Sequence, residues 1–156
     1  MKQYQRIIFV ARSGSCREPM AVGIAKDCFL TKEIDVEARG LVVSFPEPMN
    51  QKAEAVLISN GISMDGFVSM PLTEEDLTED TLILTMESSH KERLFKQFDS
   101  VIEENVYVLT EFVGDELEIL DPYGGSLQAY GLCYESLRKT IKKLVKIINE
   151  ESIVEG

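Results

Sequence analysis

Residues 6–20, RIIFVARSGSCREPM, limit what this chain can fold into more than any other stretch. Ile7, Ile8, Phe9 and Val10 form a short run that is apolar on both faces, as in a strand covered on both sides of a sheet. A loop of small and cationic residues follows. The pattern then turns helical, with Pro19 in the first turn, where proline is well tolerated. A strand that hands over to a helix through a Ser/Gly loop aims loop N–H groups and the positive end of the helix dipole at one point, a ready anion site. Arg17 can add a planar fork of donors matched to phosphate oxygens. The stretch therefore reads as a phosphate-binding loop.

Downstream, residues 19–31 carry Met20, Ala21, Ile24, Ala25, Cys28 and Phe29, a helical stripe able to face a sheet. Residues 34–43 set Val36 and Ala38 against charge and read as a strand. Pro46 and Pro48 make 44–49 a loop, and Asn50 is placed to cap a helix ending at Asn60-Gly61. Residues 65–72 look irregular, and 73–77 read as one helical turn opened by Thr73. TLILTM at 81–86 has the composition of a central parallel strand. Ser89 and Glu92 have capping-box spacing for a helix through Phe98, which puts His90 on its exposed face. Residues 106–110 read as a strand and 111–125 as a long loop ending in DPYGG. Ser126 should cap a last helix that reaches residue 149, with a fraying tail beyond it.

Strands alternating with helices imply a single α/β domain over residues 1–156, a three-layer α/β/α sandwich with a four-stranded parallel sheet and right-handed crossovers. Such Rossmann- or flavodoxin-like sheets bind ligands beyond their strand C-termini, at the topological switch point. The loop after the first strand and the DPYGG loop after the fourth both fall on that edge.

Composition narrows the function. Acidic residues outnumber basic ones 27 to 16, for a formal charge of −11, so the basic footprint that nucleic acid or an anionic membrane needs is missing. No apolar run nears membrane-spanning length, and MKQYQRIIFV reads as strand rather than signal peptide, so the expected location is the cytoplasm. Cys16, Cys28 and Cys133 are an odd, sparse set, unlike a disulfide scaffold. With one histidine, His90, and no CxxC, a zinc site has little support, and no cofactor is expected. An acidic body around one basic loop points to a single focused anion site.

FVARSGSCREPMA resembles the phosphate loop of the low-molecular-weight protein-tyrosine phosphatases, whose pattern is FVCxGNxCRSPMA. EPMNQKAEAVLISNGI, LTEEDLTEDTLILTMESSHKERL and LDPYGGSLQAYGLCYESL resemble other segments of that family in order and spacing. The resemblance spans nearly the whole chain and implies the phosphotyrosine phosphatase I fold. It also implies a chemistry: a cysteine thiolate at the first loop position attacks phosphorus in line, an arginine clamps the equatorial oxygens, and an aspartic acid from a distant loop protonates the leaving oxygen. On this chain Arg17 matches the clamp, Asp121 the general acid with Pro122 fixing its loop, and Tyr123 an aromatic wall beside the substrate. Arg12, Ser13, Gly14, Ser15, Cys16 and Arg17 match the phosphate-binding loop. Inorganic phosphate or sulfate would fit there as well as a phosphorylated protein or small phosphate ester.

The nucleophile position is Ala11, and a methyl group cannot attack phosphorus. Cys16 matches the family's second cysteine, which does not replace the first. Either Ala11 is an engineered change in an active enzyme, or the natural protein lacks the nucleophile and binds phosphorylated groups. The retained Asp121-Pro122 pair favours the active parent. Gly14 replaces an asparagine and reaches a left-handed backbone without help. Glu18 replaces a serine, and the expectation is that it points outward and complements the helix N-terminus. Ser15 is small and hydroxylated, like the threonine of the family's arginine phosphatases, while phosphotyrosine remains the leading substrate class. Arg12 reads as a solvated loop cation and Ser13 as a turn residue.

The leading reading is thus a phosphomonoester hydrolase of the protein-tyrosine-phosphatase type whose chain, as written with Ala11, is inactive. The alternatives are a phosphopeptide-binding pseudophosphatase and a protein-arginine phosphatase. Arsenate reduction, which needs the missing thiol, ranks below them, and a flavodoxin-like FMN binder last.

Overall fold

Strand β1 (Arg6–Ala11) lies inside a parallel sheet of order β2-β1-β3-β4, with β2 at Asp35–Gly40, β3 at Thr81–Thr85 and β4 at Val106–Val108. The computed structural model describes residues 2–28 and 33–155, with backbone alone over 151–155, and the sheet has these four strands among the described residues. Ile7 stands opposite Val36 on one side and Leu82 on the other. The apolar run alternates between two cores, as the two-residue period of a strand requires. Ile7, Phe9 and Ala11 face α1 (Arg17–Asp27), α2 (Gln51–Ser59) and α5 (Leu127–Glu155). Ile8 and Val10 meet Ile83, Leu94, Phe98 and Val106 beneath α3 (Ser88–Gln97). Helices on both faces make the sandwich expected. Burial of each large side chain of β1 contributes about 1.5–3 kcal/mol before the entropy of ordering is charged against it.

From β1 the chain goes to β2 on one side and then crosses to β3 on the other. The C-terminal edge of β1 is therefore the switch point, where the loops after neighbouring strands splay apart.

The caps follow the residues that should make them. Asn50 Oδ1 accepts from the backbone N–H of Lys52 and Ala53, Gly61 takes φ +77°, and Ser126 Oγ accepts from the Ala129 N–H. Thr73 and Asp76 form a capping box on a single 3-10 turn at Glu74–Asp76.

Elsewhere the structure departs from the sequence reading. Strand β4 stops at Val108, because its partner β3 ends at Thr85 and offers no further ladder. The next residues coil into α4 (Leu109–Val113), closed by Gly114 at φ +83°. Strand β2 ends at Gly40 rather than 43, after which Leu41 and Val42 donate to the carbonyls of Ala11 and Arg12. Helix α3 opens two residues early, capped by Glu87 and His90 in place of Ser89 and Glu92. Helix α5 runs on to Glu155. Helix α1 starts at Arg17 and ends at Asp27, and the remainder of the helix read to residue 31 lies largely outside the described residues. No described helix is long and apolar enough to cross a membrane.

Candidate functional site

Residues 12–16 join the C-terminal end of β1 to the N-terminus of α1, and two glycines let this loop turn tightly. Gly14 adopts φ +75°, and Gly40 at the end of β2 lies so close that a Cβ on it would stand 2.6 Å from Gly14 N and from the Ser13 carbonyl carbon. The loop is further held by Asn50, whose N–H donates to the Ser15 carbonyl at 2.8 Å. Asn50 Nδ2 also lies 3.3 Å from the Tyr130 hydroxyl on α5.

Above this loop opens a cleft of about 380 Å³. Of the residues singled out in the sequence, Ala11, Arg12, Ser13, Ser15, Cys16, Arg17, Asp121 and Tyr123 line it. Gly14 does not; its N–H donates to the Glu18 carboxylate. The Ala11 methyl is buried where β1 ends. Arg12 is exposed, and Ser13 and Ser15 lean together with their hydroxyls 3.2 Å apart.

Arg17 is 3% exposed, and both terminal nitrogens of its guanidinium have partners. One terminal nitrogen donates to the Ile119 carbonyl at 2.7 Å; the other pairs with Glu87 at 2.8 Å and lies 3.7 Å from Asp121 Oδ2. The loop from 115 to 125 is thereby tied to the β1 edge. Asp121 Oδ1 accepts from the Tyr123 N–H at 3.0 Å, and Gly125 donates back to Pro122, a turn that leaves Tyr123 78% exposed at the rim.

Two acidic residues and the histidine differ from the sequence reading. Glu18 does not point outward. It is 1% exposed, and its Oε2 accepts from the Gly14 N–H at 2.5 Å, inside the loop. Burial pushes its carboxyl above the usual range, against the pull of the Gly14, Cys16 and Glu18 N–H groups and of Arg17. His90 is buried rather than exposed; its Nδ1 accepts from the Glu87 N–H at 3.2 Å, and desolvation, with Arg17 nearby, lowers its pKa. Glu87 escaped notice in the sequence, although the signal was there: it follows the TLILTM strand and so belongs to the same C-terminal edge. Burial, reinforced by Glu18, pushes the Cys16 thiol up to about 12, which keeps it protonated and unreactive near neutral pH.

Known proteins share this frame. A family model described as low molecular weight phosphotyrosine protein phosphatase matches residues 6–154. The low molecular weight protein-tyrosine-phosphatase PtpB of Staphylococcus aureus is 34% identical over 143 residues, covering 92% of this chain and 99% of that protein. A protein-arginine-phosphatase of Bacillus subtilis is 31% identical, covering 93% and 97%. The YwlE arginine phosphatase from Geobacillus stearothermophilus superposes with a TM-score of 0.89 at 27% identity over 97% of each chain.

Proposed function

We propose that this chain, which belongs to the low-molecular-weight phosphotyrosine protein phosphatase family, recognises a phosphorylated protein side chain without hydrolysing it by the cysteine route. Ala11 carries the reading. It stands at the end of β1, on the cleft, where phosphocysteine chemistry would begin, and Cys16 is too strongly held as a thiol to stand in. In this reading Arg17 clamps the phosphoryl oxygens, while the N–H groups of Arg12 to Cys16 and the dipole of α1 complete the anion site. Tyr123 flanks the side chain that bears the phosphate.

Both phosphotyrosine and phosphoarginine fit this site in kind. A protein-arginine-phosphatase stands among the relatives, and Ser15 puts a small hydroxyl on the cleft wall. Calorimetric titration with paired phosphotyrosine and phosphoarginine peptides ranks the two. Arg17→Lys, which keeps the charge but loses the fork, should weaken binding of the preferred peptide by at least about tenfold, whereas Asp121→Asn should leave it within about twofold. Equal losses in both variants, or hydrolysis of an aryl phosphate by the native chain, would overturn the proposal.

A second reading, an active phosphatase silenced at one residue, is favoured by Asp121, which faces the cleft 3.7 Å from Arg17 as a general acid would. Ala11→Cys then restores turnover of a small aryl phosphate; its failure from about pH 5 to pH 8 removes that reading.

A further inference from the structure

We propose that Glu18 determines which anions this site accepts: its carboxylate is a built-in ligand of the loop N–H groups, and an outside dianion binds only together with a proton taken up by Glu18. The inference rests on the phosphate-site reading and concerns the same loop.

The geometry is that of an occupied nest. Glu18, the second residue of α1, turns its side chain back into the preceding loop, and Gly14 donates to its Oε2 at 2.5 Å. The N–H groups of Cys16 and of Glu18 itself also stabilise the carboxylate. These are the donors an external oxyanion would use, and they have an intramolecular partner at effectively high concentration.

Position 11 explains why the partner is tolerated. A thiolate there would put a negative charge beside the Glu18 carboxylate, and two anions at one loop repel strongly in a water-poor site. Ala11 removes that charge, and Glu18 supplies another to the positive end of α1. The two departures account for each other as a matched pair, which a lone cysteine-to-alanine change on an otherwise active frame would not do.

The surrounding charges make the proton necessary. From the loop come Arg12 and the neutral thiol Cys16; from α1, Arg17; from the loop after β2, Glu47; from the loop before α5, Asp121; and from α5, Cys133, held as a thiol by burial at about 11. Arg17 is already paired with Glu87 and carries His90 beside it. With Glu18 ionised, three carboxylates line the cleft against two guanidinium groups. A dianion entering that lining is opposed until one carboxylate is neutralised, and Glu18 is the one whose carboxyl burial already biases toward the neutral form.

Sulfate is the probe, because it keeps both charges across the range in which carboxylates and histidine titrate. The full chain and Glu18→Gln are titrated by calorimetry between about pH 5 and pH 8, in buffers of different ionisation enthalpy, so that proton uptake is counted directly. The native chain should take up close to one proton per sulfate and lose affinity by about tenfold per pH unit once Glu18 ionises. Glu18→Gln should bind about tenfold or more tightly than native at the upper pH, with a flat profile and little proton uptake. Proton uptake that survives in Glu18→Gln assigns the proton to His90 and overturns the inference. Sulfate bound by the native chain with no proton uptake overturns it whatever the variant does. If Arg17→Lys abolishes binding while Glu18→Gln changes nothing, the anion site stands and Glu18 is not its gate. If neither chain binds sulfate at any pH, the phosphate-site reading fails too.

Discussion

Asn50 shows how one residue can hold a site it does not chemically define. Its side-chain oxygen caps α2, its amide lies against Tyr130, and its backbone N–H fixes the Ser15 carbonyl. Asn50→Ala should therefore destabilise the protein by about 1–2 kcal/mol in chemical denaturation, and Asn50→Asp, which keeps the cap, by clearly less. Cys16 offers a second test at this scale. A thiol buried and held at about 12 should resist iodoacetamide at mildly alkaline pH, while the half-buried Cys28 is modified first, as peptide mass spectrometry would read. Arg17, Gly14, Asp121 and Tyr123 are named in the sequence by its resemblance to the family, and Arg17, Asp121 and Tyr123 lie on the cleft. The orientation of Glu18 is not legible in this way. Whether a first-turn carboxylate points to solvent or into the loop depends on which loop N–H groups are free to meet it, here that of Gly14, and no periodicity records that. His90 is buried for a related reason: with the cap two residues earlier than Ser89, its ring turns back to accept from the Glu87 N–H.

Among elements, β1, its loop and α1 work as one unit only because β2 lets the loop lie against it. Gly40 is the point of closest approach, and the two nearest atoms a Cβ would meet, Gly14 N and the Ser13 carbonyl carbon, are backbone, which cannot swing aside. Gly40→Ala should cost about 1–3 kcal/mol and, by displacing residues 13 and 14, abolish sulfate binding. Gly61→Ala is the control. It has a positive φ, which Gly40 lacks, but open space around it, so it should cost about 1 kcal/mol through backbone strain alone and leave binding intact. Unchanged sulfate affinity in Gly40→Ala would mean that the loop is not positioned by β2. The apolar runs gave β1 and β3 away because both faces of each are covered, and composition then reports burial directly. Strand β4 ended early because strand propensity in Val106 to Thr110 counts only where a neighbour can pair with it. The same edge that brings Asp121 to Arg17 also brings Glu87, so topology, once known, recovers a partner that local pattern missed.

For the molecule as a whole, the formal charge of −11 suggested an acidic body with one cationic recess, and the recess proves to contain carboxylates of its own. Net charge could not disclose this, since it carries no information on which acids are inward. The consequence is a pH dependence of stability with opposed contributions. Glu18 has its folded pKa raised above the ordinary 4.5, chiefly by burial, so its stabilising contribution is complete below that value and is lost as pH rises through the folded pKa. His90, lowered below 6.5 by burial and by Arg17, destabilises the fold as pH falls below 6.5, where the unfolded chain takes up the proton first. Glu37 is lowered because its bonds to Arg6 and the charge of Arg39 outweigh a desolvation that acts upward, so its contribution is present above 4.5 and lost below. Native stability should therefore fall on the acid side through His90 and Glu37, while Glu18 opposes that fall. Glu18→Gln isolates the last contribution, because it leaves the other two groups in place. Its stability relative to native, from urea unfolding, should be near zero or negative at about pH 4.5 and become increasingly positive toward pH 8. A difference that is constant with pH would mean that Glu18 titrates alike in the folded and unfolded chain, and its carboxylate would then not be the buried occupant of the loop.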